Sequence, residues 1–309
     1  MKWDKKGKIC SHETLDLPWF KKNIMVPVPC RLDEKTLRLF VTFCDEENIG
    51  RIGYVDVEAD DPSRVTGYSR NPVLDIGLPG SFDDHGVVTA SLVEQPDELW
   101  LYYSGYQMAV EVPYVILSGL AVSRDGGLSA RRIQAGPVLP ALPDELNSRC
   151  APVVLKENFY KMWYTGDYDS GWRSDAQGKM MPWYLTKYLE SDDGLHWDRA
   201  PARACLKFAD DDEHGLAKPT LWCEDGLYKM IYSIRSLSGG YRLGYAESAD
   251  GIRFVRKDGE AGLDVSADGW DSEMVCFAAR YEHGDRVYLF YCGNRYGQGG
   301  LGYAELERR

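Results

Sequence analysis

Apolar and polar residues alternate over short runs, and the alternation returns at a nearly fixed interval. The runs are Leu37-Arg-Leu-Phe-Val-Thr-Phe43, Leu99-Trp-Leu-Tyr-Tyr-Ser-Gly105, Tyr160-Lys-Met-Trp-Tyr-Thr-Gly166, Tyr228-Lys-Met-Ile-Tyr-Ser233 and Val287-Tyr-Leu-Phe-Tyr-Cys-Gly293. Spacing of two with many aromatic and β-branched residues is strand spacing, and the three-to-four spacing of an amphipathic helix is nearly absent. With Leu39, Leu101, Met162, Met230 and Leu289 taken as equivalent, successive copies lie about 60 residues apart, the kind of period that marks a repeat architecture.

A β-rich run precedes each copy, such as Val87-Val-Thr-Ala-Ser-Leu-Val93, Ala151-Pro-Val-Val-Leu155 or Met274-Val-Cys-Phe-Ala278. Turns such as Glu224-Asp-Gly226 and His283-Gly-Asp285 make the two runs a hairpin. A third run follows, for example Arg51–Val55, Gly119–Ser123 or Leu243–Ser248, and three copies continue with S-x-D-G at Ser123–Gly126, Ser191–Gly194 and Ser248–Gly251. A short fourth run closes the unit, as in Ile252-Arg-Phe-Val-Arg256 or His196-Trp-Asp-Arg199. The pattern predicts an all-β chain, a single domain over 1–309, folded as a five-bladed β-propeller of four-stranded antiparallel blades. The last copy stops after its third run, and Trp3-Asp-Lys-Lys is similar to the fourth-run segments. Residues Lys2 to Ile9 are therefore expected to complete the last blade, pair with Leu301–Glu305 and close the ring.

Composition agrees, since 20 Tyr, 9 Trp and 9 Phe with 31 Gly and 15 Pro suit many short strands and tight turns. Acidic residues outnumber basic ones 48 to 36, for a formal charge of −12. No basic run interleaves with aromatics, which argues against nucleic acid or an anionic membrane as partner. The first twenty residues hold no apolar leader and no stretch approaches the roughly 20 apolar residues of a bilayer span, so a cytoplasmic location is expected. The eight cysteines are scattered without a C-x-x-C pair. They read as core thiols, and no cofactor is expected.

In a propeller the innermost strands line an axial channel, so polar residues at their starts are expected to converge. The second repeat begins with Asp83-Asp84-His85-Gly86, the fourth with Asp212-Glu213-His214-Gly215, and the fifth with Asp271-Ser272-Glu273. Alignment of the strands that follow gives one tier of Asp83, Glu145, Asp212 and Asp271, and another of His85, Asn147, His214 and Glu273, with Asp84 and Glu213 between them. Singly, each such residue reads as a turn cap. Their recurrence points to carboxylates around one axis, where mutual repulsion holds one carboxyl protonated beside an ionised partner, as cleavage of a glycosidic bond requires. The expected partner is a small-molecule carbohydrate or related metabolite. Loop 166–183, with Tyr168, Trp172, Trp183 and Arg173, and the insertion 106–114 have the make-up of walls that stack on a sugar. Arg149, Arg235, Asn294 and Arg295 complete the expected substrate contacts, the arginines at 235 and 295 as clamps for a carboxylate or phosphate. His85 and His214 with their neighbouring carboxylates also admit a divalent metal, an alternative that no H-x-H spacing supports.

The stretches Arg70-Asn-Pro-Val-Leu74, Gly80-Ser-Phe-Asp-Asp-His-Gly-Val87, Gly119-Leu-Ala-Val-Ser-Arg-Asp-Gly126, Tyr245-Ala-Glu-Ser-Ala-Asp-Gly251, Trp270-Asp-Ser-Glu-Met274 and Tyr291-Cys-Gly-Asn294 resemble the glycosidase-like five-bladed propellers grouped around glycoside hydrolase families 43, 32 and 130. The resemblance implies an axial sugar pocket with Asp84 or Asp83 as one carboxylate, Glu213 as a second and Asp271 or Glu273 as a third. In an inverting reaction Asp84 would activate water and Glu213 protonate the leaving oxygen. The chain departs from the hydrolytic pattern in two places. The first repeat, near Asn23-Ile-Met-Val-Pro27, has no Asp, and Glu-Gly-Pro is replaced by Glu213-His-Gly-Leu-Ala-Lys-Pro219. The implied function is a glycoside hydrolase-like enzyme acting on a small glycoside or glycoconjugate by hydrolysis or phosphorolysis. The alternatives are a propeller that binds a sugar or metabolite without turnover, and a biosynthetic enzyme that has repurposed the pocket.

Overall fold

The alternating runs form twenty strands in a computed structural model that describes residues 1–175 and 177–307. Strand β1 is Trp3–Cys10. Blade 1 is β2 (Ile24–Arg31), β3 (Thr36–Cys44), β4 (Gly50–Glu58) and β5 (Val65–Tyr68), and blade 2 is β6 (Val87–Glu94), β7 (Leu99–Met108), β8 (Tyr114–Ser123) and β9 (Arg131–Arg132). Blade 3 is β10 (Ser148–Lys156), β11 (Tyr160–Ser174), β12 (Met180–Ser191) and β13 (Arg203–Ala204). Blade 4 is β14 (Glu213–Glu224), β15 (Leu227–Ser236), β16 (Arg242–Ser248) and β17 (Val255–Arg256). The fifth blade takes β18 (Cys276–His283), β19 (Arg286–Cys292) and β20 (Leu301–Leu306), and its outermost strand is β1, antiparallel to β20 with Trp3 opposite Leu306 and Cys10 opposite Leu301. The first residues of the chain thus close the ring, as the truncated last repeat predicts. Two short parallel joins, β8 with β10 and β12 with β14, link neighbouring blades at the axis.

Second strands sit mid-blade between two neighbouring sheets, so both of their faces are buried. In β3, Leu37, Leu39, Val41 and Phe43 face blade 5 while Phe40 faces blade 2. The same logic runs round the ring. Five separate apolar clusters lie between successive blades, and the one between blades 5 and 1 is built from Ile9, Cys10, Phe43, Phe290 and Tyr303 among others. A closed five-membered ring is the arrangement that gives each blade two such contacts. The S-x-D-G segments are turns in which the Ser hydroxyl donates to the Asp carboxylate, at 2.8 Å for Ser123 to Asp125 and 2.9 Å for Ser248 to Asp250. That carboxylate also accepts two backbone N–H groups just beyond. Gly126 and Gly251 both have φ of +72°, a region where a Cβ is strained, which explains glycine as the fourth residue.

Each innermost strand carries a bulge, between Met25 and Val28, Thr89 and Ser91, Cys150 and Val153, Ala217 and Thr220, and Cys276 and Ala279. In four blades the bulge holds a non-glycine residue at positive φ: Val26 (+52°), Ala151 (+48°), Lys218 (+46°) and Phe277 (+55°). Such conformations cost of order 1–3 kcal/mol each and persist where the surroundings fix them. At Ala151 and Phe277, and at the Thr89 bulge of blade 2, a hydroxyl of the preceding blade's second strand helps to fix the backbone. Thr42, Ser104 and Ser233 accept the N–H groups of Thr89, Ala151 and Phe277, each at 2.8–2.9 Å.

Candidate functional site

The bulges re-aim the innermost strands toward the axis, and Val26, Ala151, Lys218 and Phe277 all line one cavity of about 710 Å³. Its walls are aromatic and hydroxylic: Tyr106, Tyr114, Tyr184, Tyr241 and Tyr296, with Thr89, Ser104, Ser148 and Thr165. Asn23, Asn48 and Gln298 add amides, and Cys44 and Cys150 add thiols that burial pushes up, Cys44 to about 12. The charged lining is Lys22, Lys218, Arg235 and Arg295, and among the described residues no Asp or Glu lines the cavity. Arg235 lies among tyrosines. Its Nη2 is 3.4 Å from the Tyr296 hydroxyl, its guanidinium is 5.8 Å from the Tyr241 ring centroid, and the hydroxyls of Tyr184 and Tyr241 are 2.5 Å apart. Lys218 is buried and, among the described residues, has neither an ion pair nor a side-chain hydrogen bond. Burial pushes its ammonium down to about 8, against a smaller upward pull from Cys292.

The carboxylates expected at this site stand elsewhere. Asp83 is buried inside blade 2, accepting from Arg132 Nε at 2.6 Å, the Tyr103 hydroxyl at 2.9 Å and Ser81 Oγ at 2.9 Å. Glu145 is buried against Lys187 (2.6 Å), Arg149 (2.8 Å) and the Tyr164 hydroxyl (2.8 Å). Both oxygens of Glu213 accept from the Arg256 guanidinium, at 2.5 and 2.6 Å, and one also accepts from the Ala209 N–H. Asp271 binds Lys5 Nζ at 2.6 Å and the Tyr291 hydroxyl at 2.9 Å. These four share one design: a carboxylate just ahead of the first strand, or in blade 4 at its first residue, meets a cation, from the fourth strand in three cases, with a tyrosine of the second strand beside it. Glu213, not Asp212, is therefore the counterpart of Asp83, while Asp212 accepts from Ser238 at 2.6 Å in a loop. Held bidentately by a guanidinium, the Glu213 carboxyl is engaged inside a blade and does not stand on the axis.

The remaining expected residues divide in two. Arg235 and Arg295 line the cavity, Arg295 at its open rim 3.9 Å from the exposed Glu273. Asp84 accepts from the Gly80 N–H in a local turn, and His85 is exposed. Asn147 braces Asp167, and Arg149 donates to the Pro140 carbonyl as well as pairing with Glu145. Asn294 caps the backbone of Glu273 and Met274. Trp172 packs edge-on behind Tyr114, centroids 4.9 Å apart, so it supports the wall from the second layer. His214 is buried in a different blade from His85, with Nδ1 on the Pro182 carbonyl, and burial lowers its pKa. Among the described residues no three His, Cys, Asp or Glu side chains are grouped to hold a metal. Sequence reasoning passed over Lys218 and the tyrosine ring. The signal for the lysine was present, because comparison of the bulge position across repeats shows Val26, Ala151 and Phe277 against one charged residue.

No family model matches the chain. Among solved structures, a glycosyl hydrolase from Bacteroides ovatus superposes with a TM-score of 0.71 at 15% identity, covering 99% of this chain and 90% of that one. A thermostable family-43 glycoside hydrolase superposes at 0.69 with 14% identity, covering 94% and 92%. At these identities the likeness is one of fold, that of the glycosidase-like propellers which the sequence motifs resemble. Two uncharacterized proteins of Mycobacterium tuberculosis, MT1551 of strain CDC 1551 and Rv1502 of strain H37Rv, are each 30% identical over 308 residues, covering 99% of this chain and all of the relative. The chain, a glycosidase-like β-propeller, thus belongs to the family of MT1551 and Rv1502.

Proposed function

We propose that the chain binds a small carbohydrate derivative in its axial cavity, and that it does so without the acid and base carboxylates of direct glycoside hydrolysis. The observation that carries this reading is the lining: five tyrosines, several hydroxyls and amides, four cations and no carboxylate among the described residues. Aromatic faces with convergent hydroxyl and amide groups suit a sugar, whose ring has apolar faces and a polar edge. The volume falls within the roughly 300–1,000 Å³ of small-molecule sites. Two-carboxylate hydrolysis needs both groups at the scissile bond, whereas Glu213 and Asp271 are occupied by Arg256 and Lys5.

Calorimetric titration with a panel of free and phosphorylated monosaccharides, beside a turnover assay on aryl and alkyl glycosides with and without phosphate, tests the reading. Saturable binding with no glycoside turnover is expected. Turnover that Glu213→Gln or Asp84→Asn reduces by roughly 10²–10⁴-fold in a folded protein would restore the hydrolase reading.

A further inference from the structure

In four of the five blades the same bulge position, at the same positive φ, reaches the cavity wall. Three of these residues are apolar, Val26, Ala151 and Phe277, and the fourth is Lys218. The fold therefore asks for no charged group there, the counterpart in blade 2 being Thr89, whose hydroxyl donates to the Val26 carbonyl. An ammonium at that point is desolvated without a counter-ion among the described residues, a destabilising arrangement unless something else supplies the charge. Thr165, which lines the same cavity, is its second anomaly. Thr42, Ser104 and Ser233, at the corresponding place in β3, β7 and β15, cap a bulge N–H, but the buried Thr165 hydroxyl has no partner. Arg235, on β15 of the same blade as Lys218, likewise faces the cavity with no carboxylate partner among the described residues, its neighbours being the hydroxyls of Tyr296 and Tyr114 and the ring of Tyr241.

We propose that the ligand of this cavity carries an anionic group, a phosphate or a carboxylate, and that Lys218 and Arg235 are the residues that receive it. The proposal deepens the carbohydrate reading by naming a substrate class, and its anion part stands apart from the sugar part. A guanidinium beside tyrosine hydroxyls offers several donors to one oxyanion, and a buried ammonium supplies charge where little water competes. The overall charge of −12 would repel an anion at long range. Selectivity for such a ligand therefore falls to these short-range contacts.

The experiment uses the intact chain and four probes: inorganic phosphate, glucose, glucose 6-phosphate and glucuronate. Titration calorimetry at low ionic strength should show glucose 6-phosphate or glucuronate binding at least tenfold more tightly than glucose, and which of the two does so separates phosphate from carboxylate. Lys218→Met and Arg235→Gln should each weaken the anionic probe about tenfold or more, and by a clearly larger factor than they weaken glucose, and Lys218→Arg should retain part of the affinity. Thermal unfolding supplies the readout that a structural lysine would not give: Lys218→Met should melt at the same or a higher temperature than wild type. Equal affinity for glucose and both anionic sugars, or variants that leave anion binding intact, overturns the proposal while the carbohydrate reading survives. Inorganic phosphate binding that depends on Lys218 and Arg235, with no sugar bound, sustains the anion site and removes the carbohydrate reading. Absence of binding by every anionic probe overturns the proposal, as does a lower melting temperature for Lys218→Met.

Discussion

A buried carboxylate with two cations beside it is a structural fastener, and Glu145 is the fullest instance in the chain. Replacing Glu145 by Gln keeps the shape but leaves Arg149 and Lys187 without their anion. Loss of one partner of a buried pair is worth about 3–5 kcal/mol, so the urea midpoint should fall sharply while ligand affinity at the cavity holds. A variant of unchanged stability would return Glu145 to the functional candidates. The recurrence of carboxylates ahead of the inner strands was legible in the sequence, but their direction was not. Neighbouring residues of a strand point to opposite sides, so an offset of one, Asp212 for Glu213, is the difference between a loop and a blade interior. Nor does a sequence say which cation a carboxylate will find, and Arg256, Arg132 and Lys5 each come from a different part of the chain than the strand they serve.

At the scale of strands and hairpins the chain was far more readable. The period, the hairpin turns and the S-x-D-G corners all correspond to observed blades, because each repeat must present alternating faces to two neighbours. The bulges were invisible, since Val26, Ala151, Lys218 and Phe277 take a conformation that usually advertises itself through glycine. These residues form part of the cavity wall, so its geometry was hidden along with them, although the aligned repeats set Lys218 against Val26, Ala151 and Phe277. The closing strand β1 was legible from the missing fourth run. It contributes Trp3, Ile9 and Cys10 to the two clusters that flank blade 5, and Lys5 to Asp271. A chain lacking residues 1–10 forfeits those burials, each large side chain being worth about 1.5–3 kcal/mol, and exposes β20 as an unpaired edge. It should unfold at markedly lower temperature and elute as oligomers on gel filtration. A monomer with wild-type melting would refute the role given to β1.

For the whole molecule, the cavity sets cations into an acidic protein, and pH offers a way to see one of them. Lys218 is held below its ordinary 10.5, at about 8, by burial. In the empty protein its charge therefore opposes folding fully below pH 8, and the penalty, roughly 3 kcal/mol at most, fades as pH climbs from 8 toward 10.5. The stability gained by Lys218→Met should follow that course, greatest at neutral pH and vanishing in alkali. Ligand affinity should fall above pH 8 in wild type as this charge is lost, with the fall absent in Lys218→Met. The thiols of Cys276 and Cys150 and the hydroxyls of Tyr106, Tyr114 and Tyr241 are all pushed up by burial, Arg235 stays charged, and the pull of Cys292 on the Lys218 ammonium is smaller than the effect of burial. An alkaline limb that survives in Lys218→Met would assign the titration to another group. The ring closure also imposes an order in time. Trp3–Cys10 is synthesised well before its partner Leu301–Leu306. At roughly 5–20 residues per second the newborn strand waits on the order of 15–60 s for its place. Until that partner emerges blade 5 is still to be assembled, and the three lysines of Trp3-Asp-Lys-Lys-Gly-Lys give the waiting strand a charged edge that discourages pairing with a neighbouring nascent chain.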